Sequence, residues 1–353
     1  MFRLPRLATT ATVAAAALTL LAPTAATAAE PTLSDPRTVA HFNHSAGESP
    51  ENIALEPDGS ANVTLSFTRQ VVRVDKHGSH RLLAVLPAVQ NARPPVFSGA
   101  VVMGIVRAKD GTLYVNYATG TSETGIWRIG PHGGTPVQIA QLPPDSLPNG
   151  LALDEKLGVF YVADSQGGVV WRVPLRGGTA TTWAAGTALQ RLSSGFFGAN
   201  GIKVHNGAVW VSNTDRQTLL RIPVRHDGIA GTIETKATGL ADIDDFAFTG
   251  QDDTVLAALL GDEVALVRPN GTHVTVLTSP DGLSSPTAVA VLEKQDDKDP
   301  KEKDKEKDKK EVKTVYVTSS SYFDVPGDPN LLTARLDHDG DNGSGNGNGN
   351  GNG

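Results

Sequence analysis

The 353-residue sequence contains no cysteine, only two methionines, and aromatic side chains at just 5% of its positions. Without cysteine there can be no disulfide, no thiolate metal ligand and no cysteine nucleophile, so the chain must hold its fold by packing alone. A chain of this length can bury enough apolar surface to do so. Beyond the N-terminal stretch, no apolar run approaches the ~20 residues that a membrane-spanning helix needs. A basic excess is missing as well. The formal net charge is −7 at pH 7, a poor match for nucleic acid, whose binding asks for a positive footprint.

The N-terminal stretch has the layout of a secretory signal peptide over residues 1–28: Arg3 and Arg6, a run of apolar and small residues from Ala11 to Leu21, and Ala26-Thr27-Ala28 before Ala29. Its apolar part is too short to cross a bilayer. The expected mature protein is therefore secreted, extracellular and without membrane contact after cleavage. Loss of two arginines and no acid would bring its charge to about −9.

What the sequence does have is a repeat. The stretch Leu147–Pro174 holds a short apolar segment after Asn149-Gly150, an alternating segment Val159-Phe160-Tyr161-Val162, and a third, Val169-Val170-Trp171-Arg172-Val173. Period-two alternation broken by glycine-rich turns is the pattern of antiparallel strands. A close copy runs from Ala199 to Val224, and fainter ones begin at Glu51, Met103, Asp244 and Thr287. The six starting points lie 43 to 52 residues apart, which suits four short strands per unit. An apolar-Arg-apolar triplet tags the third strand at Arg73, Arg128, Arg172, Arg221 and Arg335; in the fifth unit, near Leu266-Val267-Arg268, it has slipped or been lost. Four-stranded units repeated radially make an all-β, six-bladed β-propeller, expected over residues 36–336.

The sixth unit runs out of sequence after its third strand, so the segment Thr38–Phe42 is expected to close the ring as that blade's fourth strand. Residues 295–313 form a mixed-charge run with almost nothing apolar to bury, read as a solvated insertion in blade six. The Gly/Asn-rich tail over residues 337–353 reads as a flexible linker; its Asp337-His338-Asp339 opening lacks the register of a calcium loop.

In a propeller the first strand of each blade lines the central channel. The residues that open the units, Glu51, Met103, Asn149, Asn200, Asp244 and Thr287, should therefore face one axis. Two carboxylates and two amide oxygens there make an all-oxygen site of the kind that calcium favours, whereas zinc would want nitrogen or sulfur. Taken singly, Asn149-Gly150 and Asn200-Gly201 read as turns, and Asp244 sits in an acidic run, Asp242 to Asp245, whose register could slip. The shared place in the repeat is what selects them.

The repeat, with Glu, Asn, Asn and Asp in blades one, three, four and five, resembles the senescence marker protein, gluconolactonase and luciferin-regenerating enzyme family, and with it the related diisopropyl fluorophosphatase and paraoxonase propellers. The resemblance covers roughly Ser49 to Leu336. It implies that Glu51, Asn149, Asn200 and Asp244 bind Ca2+, that Asp244 is also catalytic as base or nucleophile, and that the substrate is a small-molecule lactone or ester.

The sequence departs from the sugar-lactone members at blade two, where Val101-Val102-Met103 is apolar, so a more apolar lactone or ester is expected. No channel histidine is assigned: the candidates are His44, just before the first blade, and His205, which the alternation places near the channel-lining strand but which reads rather as a surface or satisfied residue. Two other readings stand beside the hydrolase. One is a non-catalytic secreted binding module with a structural calcium, using the long loops Ala88–Gly99, Ala118–Gly125 and Ala185–Gly198. The other is a propeller lyase, which would want a channel histidine as base that the ring does not offer.

Overall fold

The computed structural model describes residues 31–292, 313–324 and 326–337. After β1 (Thr32–His41), blade one comprises β2 (Pro50–Leu55), β3 (Ala61–Leu65), β4 (Gln70–Val74) and β5 (His80–Val85). Blade two follows with β6 (Val101–Arg107), β7 (Leu113–Ala118), β8 (Gly125–Ile129) and β9 (Val137–Gln141). Blade three contains β10 (Pro148–Asp154), β11 (Val159–Asp164), β12 (Val169–Pro174) and β13 (Thr181–Ala185). Blade four contains β14 (Ala199–His205), β15 (Ala208–Asn213), β16 (Thr218–Pro223) and β17 (Glu234–Thr238). Blade five has β18 (Ile243–Phe248), β19 (Val255–Leu259), β20 (Glu263–Val267) and β21 (His273–Leu277), and blade six has β22 (Pro286–Leu292), β23 (Lys313–Ser319) and β24 (Asn330–Asp337). Each sheet pairs its strands in sequence order, and β1 completes the sixth as its edge strand, in the order β1-β24-β23-β22.

The burial gradient within a blade follows from this stacking. The inner strand β2 and its neighbour β3 are buried almost throughout, while the outermost β5 exposes four of its six residues. Six apolar clusters fill the gaps between neighbouring blades. Tyr161 and Val211 share the one between blades three and four, Trp210 and Phe246 the next, and Ala40, Phe42 and Val63 the one that joins blade six to blade one. Fully burying a side chain such as Phe246 contributes about 2–3 kcal/mol, and the sixth interface shuts the ring without a disulfide.

Two sequence expectations need refinement. The closing strand is longer than Thr38–Phe42, because β1 reaches back to Thr32, paired with Asp337. A bulge between Ser34 and Arg37, with Asp35 at φ 51°, admits Pro36, which an edge strand tolerates because its nitrogen need not donate. That bulge hides the strand from a period-two reading. In blade five the arginine position is not shifted but replaced: Tyr114 faces Arg128, Tyr161 faces Arg172 and Trp210 faces Arg221, whereas Leu256 faces Leu266. An aliphatic pair there lets both faces of the blade bury.

The expected signal peptide over residues 1–28, the charged insertion up to residue 312 and the tail from residue 338 lie outside the described residues; Lys313 begins β23 and Asp337 ends β24. Among the described residues no helix is long and apolar enough to cross a membrane.

Candidate functional site

Every inner strand breaks register with its partner once, between Pro50 and Ile53, Val102 and Ile105, Pro148 and Leu151, Ala199 and Ile202, Ile243 and Phe246, and Pro286 and Ala288. Glu51-Asn52, Met103-Gly104, Asn149-Gly150, Asn200-Gly201 and Asp244-Asp245 occupy five of these breaks, and Thr287 the sixth. The Asn-Gly pairs are therefore β-bulges on the channel wall rather than hairpin turns.

Glycine follows the channel residue in blades two to four because the next blade's backbone comes too close for a side chain. A Cβ at Gly150 would lie 2.4 Å from the Asn200 carbonyl oxygen and 2.9 Å from the Ile202 nitrogen. Gly150→Ala is expected to lower stability by about 2 kcal/mol, since backbone must shift to admit it; urea denaturation checks this, and an unchanged midpoint would show that the two bulges do not brace one another.

The four expected site residues all lie at this ring and are buried: Glu51 and Asp244 are each 5% exposed, Asn149 and Asn200 each 3%. Glu51 has its carboxyl pushed up to about 7, chiefly by burial and further by the nearby charge of Asp245, with a hydrogen bond from Tyr322 opposing the rise. Asp244 is driven well above the carboxylate range by burial and then by the charges of Glu51 and Asp245, against a smaller pull from the Asn200 amide and Lys203. Among the described residues neither carboxylate forms an ion pair. The Asn200 Nδ2 donates to Thr214 Oγ1 at 2.8 Å, which leaves its Oδ1 buried with no hydrogen-bond partner.

The second residue of two bulges builds a separate layer. Asp245 accepts from Asn52 Nδ2 at 2.9 Å and is forked by Lys203 Nζ at 2.5 and 2.6 Å. Its charge is thus compensated while those of Glu51 and Asp244 are not. Below it, along the C-terminal halves of the inner strands, the channel opens into a cavity of about 970 Å³ lined by residues such as Ile53, Leu151, Lys203 and His205.

His205 belongs to that far end, stacked on Phe248 at 3.7 Å and bonded to the Asp252 carbonyl, while His44 sits exposed in a short 3-10 turn. Neither joins the ring. Thr287 turns its hydroxyl to the Pro50 carbonyl, 3.0 Å away, and so braces blades six and one. Met103 contributes to an apolar cluster with Val101, Ala118 and Leu147, against which Phe97 and Phe197 pack.

Sequence reasoning missed Tyr322, whose hydroxyl donates to Glu51 Oε2. It lies on the loop after β23, outside the repeated strands, and the run Ser319-Ser320-Ser321 before it gives only a weak hint of a structured loop. It also missed Thr214 and the pairing of Lys203 with Asp245. Among the described residues no three His, Cys, Asp or Glu side chains converge on a metal position, so a cation at the ring would depend on amide oxygens. The orphaned Asn200 Oδ1 beside two unpaired carboxylates fits that need, and the all-oxygen set fits calcium.

No protein-family model matches the sequence, and no curated protein matches it. Solved structures do share its fold. Regucalcin from Agrobacterium tumefaciens, a calcium-binding protein, is 14% identical with a TM-score of 0.58, over 82% of this chain and 91% of its own. A luciferin-regenerating enzyme is 11% identical with a TM-score of 0.58, over 86% and 95%. The PQQ-bound aldose sugar dehydrogenase from Streptomyces coelicolor is 15% identical with a TM-score of 0.58, over 87% and 99%. Such similarity concerns the fold, and the differing chemistries on it leave function to be argued from the site.

Proposed function

We propose that the protein is an exported calcium-dependent hydrolase of lactones or esters, working at the ring of inner-strand bulges. The observation that carries this reading is the juxtaposition of two buried, unpaired carboxylates, Glu51 and Asp244, with the orphaned amide oxygen of Asn200. Glu51, Asn149, Asn200 and Asp244 would hold the ion. Bound there, calcium would polarise the substrate carbonyl oxygen. Without metal, burial and the neighbouring Glu51 and Asp245 charges raise the proton affinity of Asp244; with the ion bound its carboxylate would be held ionised beside the substrate, to take a proton from water or to attack directly. The hydrogen bond from Tyr322 holds Glu51 in place. Export rests on the pattern of Arg3, Arg6 and the run from Ala11 to Leu21.

A second reading, a binding module whose calcium only ties blades together, draws on the fact that the four ligands come from four different blades. Calorimetric titration of the protein with calcium, followed by a screen of lactones and aryl esters with and without chelator, separates the two. Hydrolysis that chelator abolishes is expected. Calcium binding that raises only the melting temperature would leave the binding module, and no binding at all would sink the ring assignment.

Proton linkage gives a further check. Folded, metal-free protein keeps the Glu51 proton up to about pH 7, whereas the unfolded chain loses it near 4.5. The folded state thus binds more protons in that window, so this group's contribution to stability falls as pH rises through it, by on the order of 2 kcal/mol. Calcium needs the ionised form and reverses the trend, so its affinity is expected to drop about tenfold from pH 8 to pH 6. Denaturation melts of chelated and calcium-loaded protein over pH 5–8 test both signs; parallel curves would contradict the assignment.

A further inference from the structure

Five of the ten phenylalanines, Phe67, Phe97, Phe196, Phe197 and Phe323, sit on loops at the end of the propeller where the bulges lie. Four of these, with Tyr322, make a continuous chain of rings. Phe197 lies 6.3 Å from Phe97, Phe97 6.2 Å from Phe67, Phe67 5.8 Å from Tyr322, and Tyr322 6.4 Å from Phe323. One end of the arc is seated on Met103 and Leu147 through Phe97 and Phe197, and Tyr322, near the other end, bonds Glu51. The arc therefore runs from the loop that leads into blade four, through the loop that leads into blade two and the β3–β4 turn of blade one, to the β23–β24 loop of blade six.

Phe97 and Phe197 are half-buried on the Met103 cluster, but the rings further along stay open: Phe67 is 43% exposed and Phe323 74%, in a protein with few aromatics to spare. The loops are held stiffly under them. The Asp215 carboxylate accepts from the backbone nitrogens of Leu192, Phe196 and Phe197, and Arg93 Nη1 donates to the Ser98 carbonyl at 2.7 Å. Val96, at φ 67°, immediately precedes Phe97, and Ser321, at φ 54°, immediately precedes Tyr322. A β-branched residue in the left-handed region is strained, and strain retained next to exposed rings is a mark of a functional surface rather than of packing.

We propose that this aromatic arc binds the apolar part of the substrate, an aliphatic chain or aryl group carried next to the lactone or ester carbonyl. The inference rests on the hydrolase reading for the carbonyl's place at the ring, and adds which substrates that site takes. A polyhydroxylated lactone would lay its hydroxyls against rings that offer no partner, whereas an alkyl or aryl group gains burial on a surface already in position. Tyr322 joins the two parts, with its hydroxyl on Glu51 and its ring in the arc.

The test uses calcium-loaded full chain and two measurements. In the first, kcat/KM is compared for γ-dodecalactone, γ-butyrolactone and D-glucono-δ-lactone, with a preference for the long-chain lactone of about 100-fold expected from the burial of its extra methylenes. In the second, calorimetry follows the binding of 2-octylcyclopentanone, which keeps the ring carbonyl and chain but cannot be hydrolysed. Phe97→Ala and the exposed Phe67→Ser should each weaken that binding by about tenfold, while calcium affinity on the same samples stays within about threefold. Equal binding by wild type and both variants, or none by wild type, would overturn the arc. If 2-octylcyclopentanone binds through the arc but no lactone or ester is turned over, the hydrolase reading fails and the arc stands. If lactones are hydrolysed without regard to chain length, the arc fails alone.

Discussion

Asp244→Asn is expected to give a folded protein that still binds calcium but hydrolyses nothing measurable, a loss of at least about 10³-fold in kcat. The substitution keeps one oxygen for the cation and removes both the charge and the base. Its effect on stability should run the other way. In metal-free protein, burial and then the charges of Glu51 and Asp245 disfavour ionisation of Asp244, so a neutral amide removes that cost and the metal-free variant should gain melting temperature over the wild type as pH rises. Calcium affinity should fall by about ten- to a hundredfold, as one of two anionic ligands is lost. The three readouts move in different directions, which a merely misfolded variant could not reproduce. Retention of full hydrolysis by Asp244→Asn would remove Asp244 from the chemistry, and a lowered metal-free melting temperature would mean that its carboxylate is compensated by some other group.

The ring was legible in the sequence because the repeat carries positional information that no single motif does. Asn149-Gly150 alone reads as a turn; six units in register place it on the channel wall, and the structure supplies the reason in the bulge, where the glycine admits the neighbouring blade. Acidic residues at blades one and five were likewise visible from their register. What escaped had one of two causes. Tyr322, Phe67 and Phe97 are borne by loops whose paths depend on tertiary packing, so no periodicity announces them. The pairing of Lys203 with Asp245, and of Asn52 with Asp245 across the channel, joins residues far apart in sequence whose encounter depends on how the blades are rotated about the axis. Whether the blade-five arginine has slipped or been lost stays open in the sequence for a simpler reason, since an aliphatic pair across β19 and β20 satisfies the alternation as well as Trp210 with Arg221 does.

Lys203→Met is expected to be among the most destabilising single changes, by about 3–5 kcal/mol in urea denaturation of metal-free protein, because it strips the counter-ion from a buried carboxylate. The side chain of Asp245 is 3% exposed and that of Lys203 29%, so the two halves of the pair are not equivalent. Deleting the lysine strands Asp245 beside Glu51 and Asp244, whereas Asp245→Asn leaves an ammonium whose stem borders the lower cavity and can turn toward water. Asp245→Asn should therefore cost less than half as much as Lys203→Met, and the double variant should recover most of the loss. Calcium binding should respond with the opposite sign. Lys203 opposes the raised proton affinity of Asp244, and an ammonium that disfavours a proton there also disfavours a cation, so Lys203→Met should bind calcium about tenfold more tightly at low salt. A variant that is less stable without metal yet tighter for it would locate the cation beside Asp244. Loss of stability and of calcium affinity together would instead mean that Lys203 shapes the ring rather than its charge.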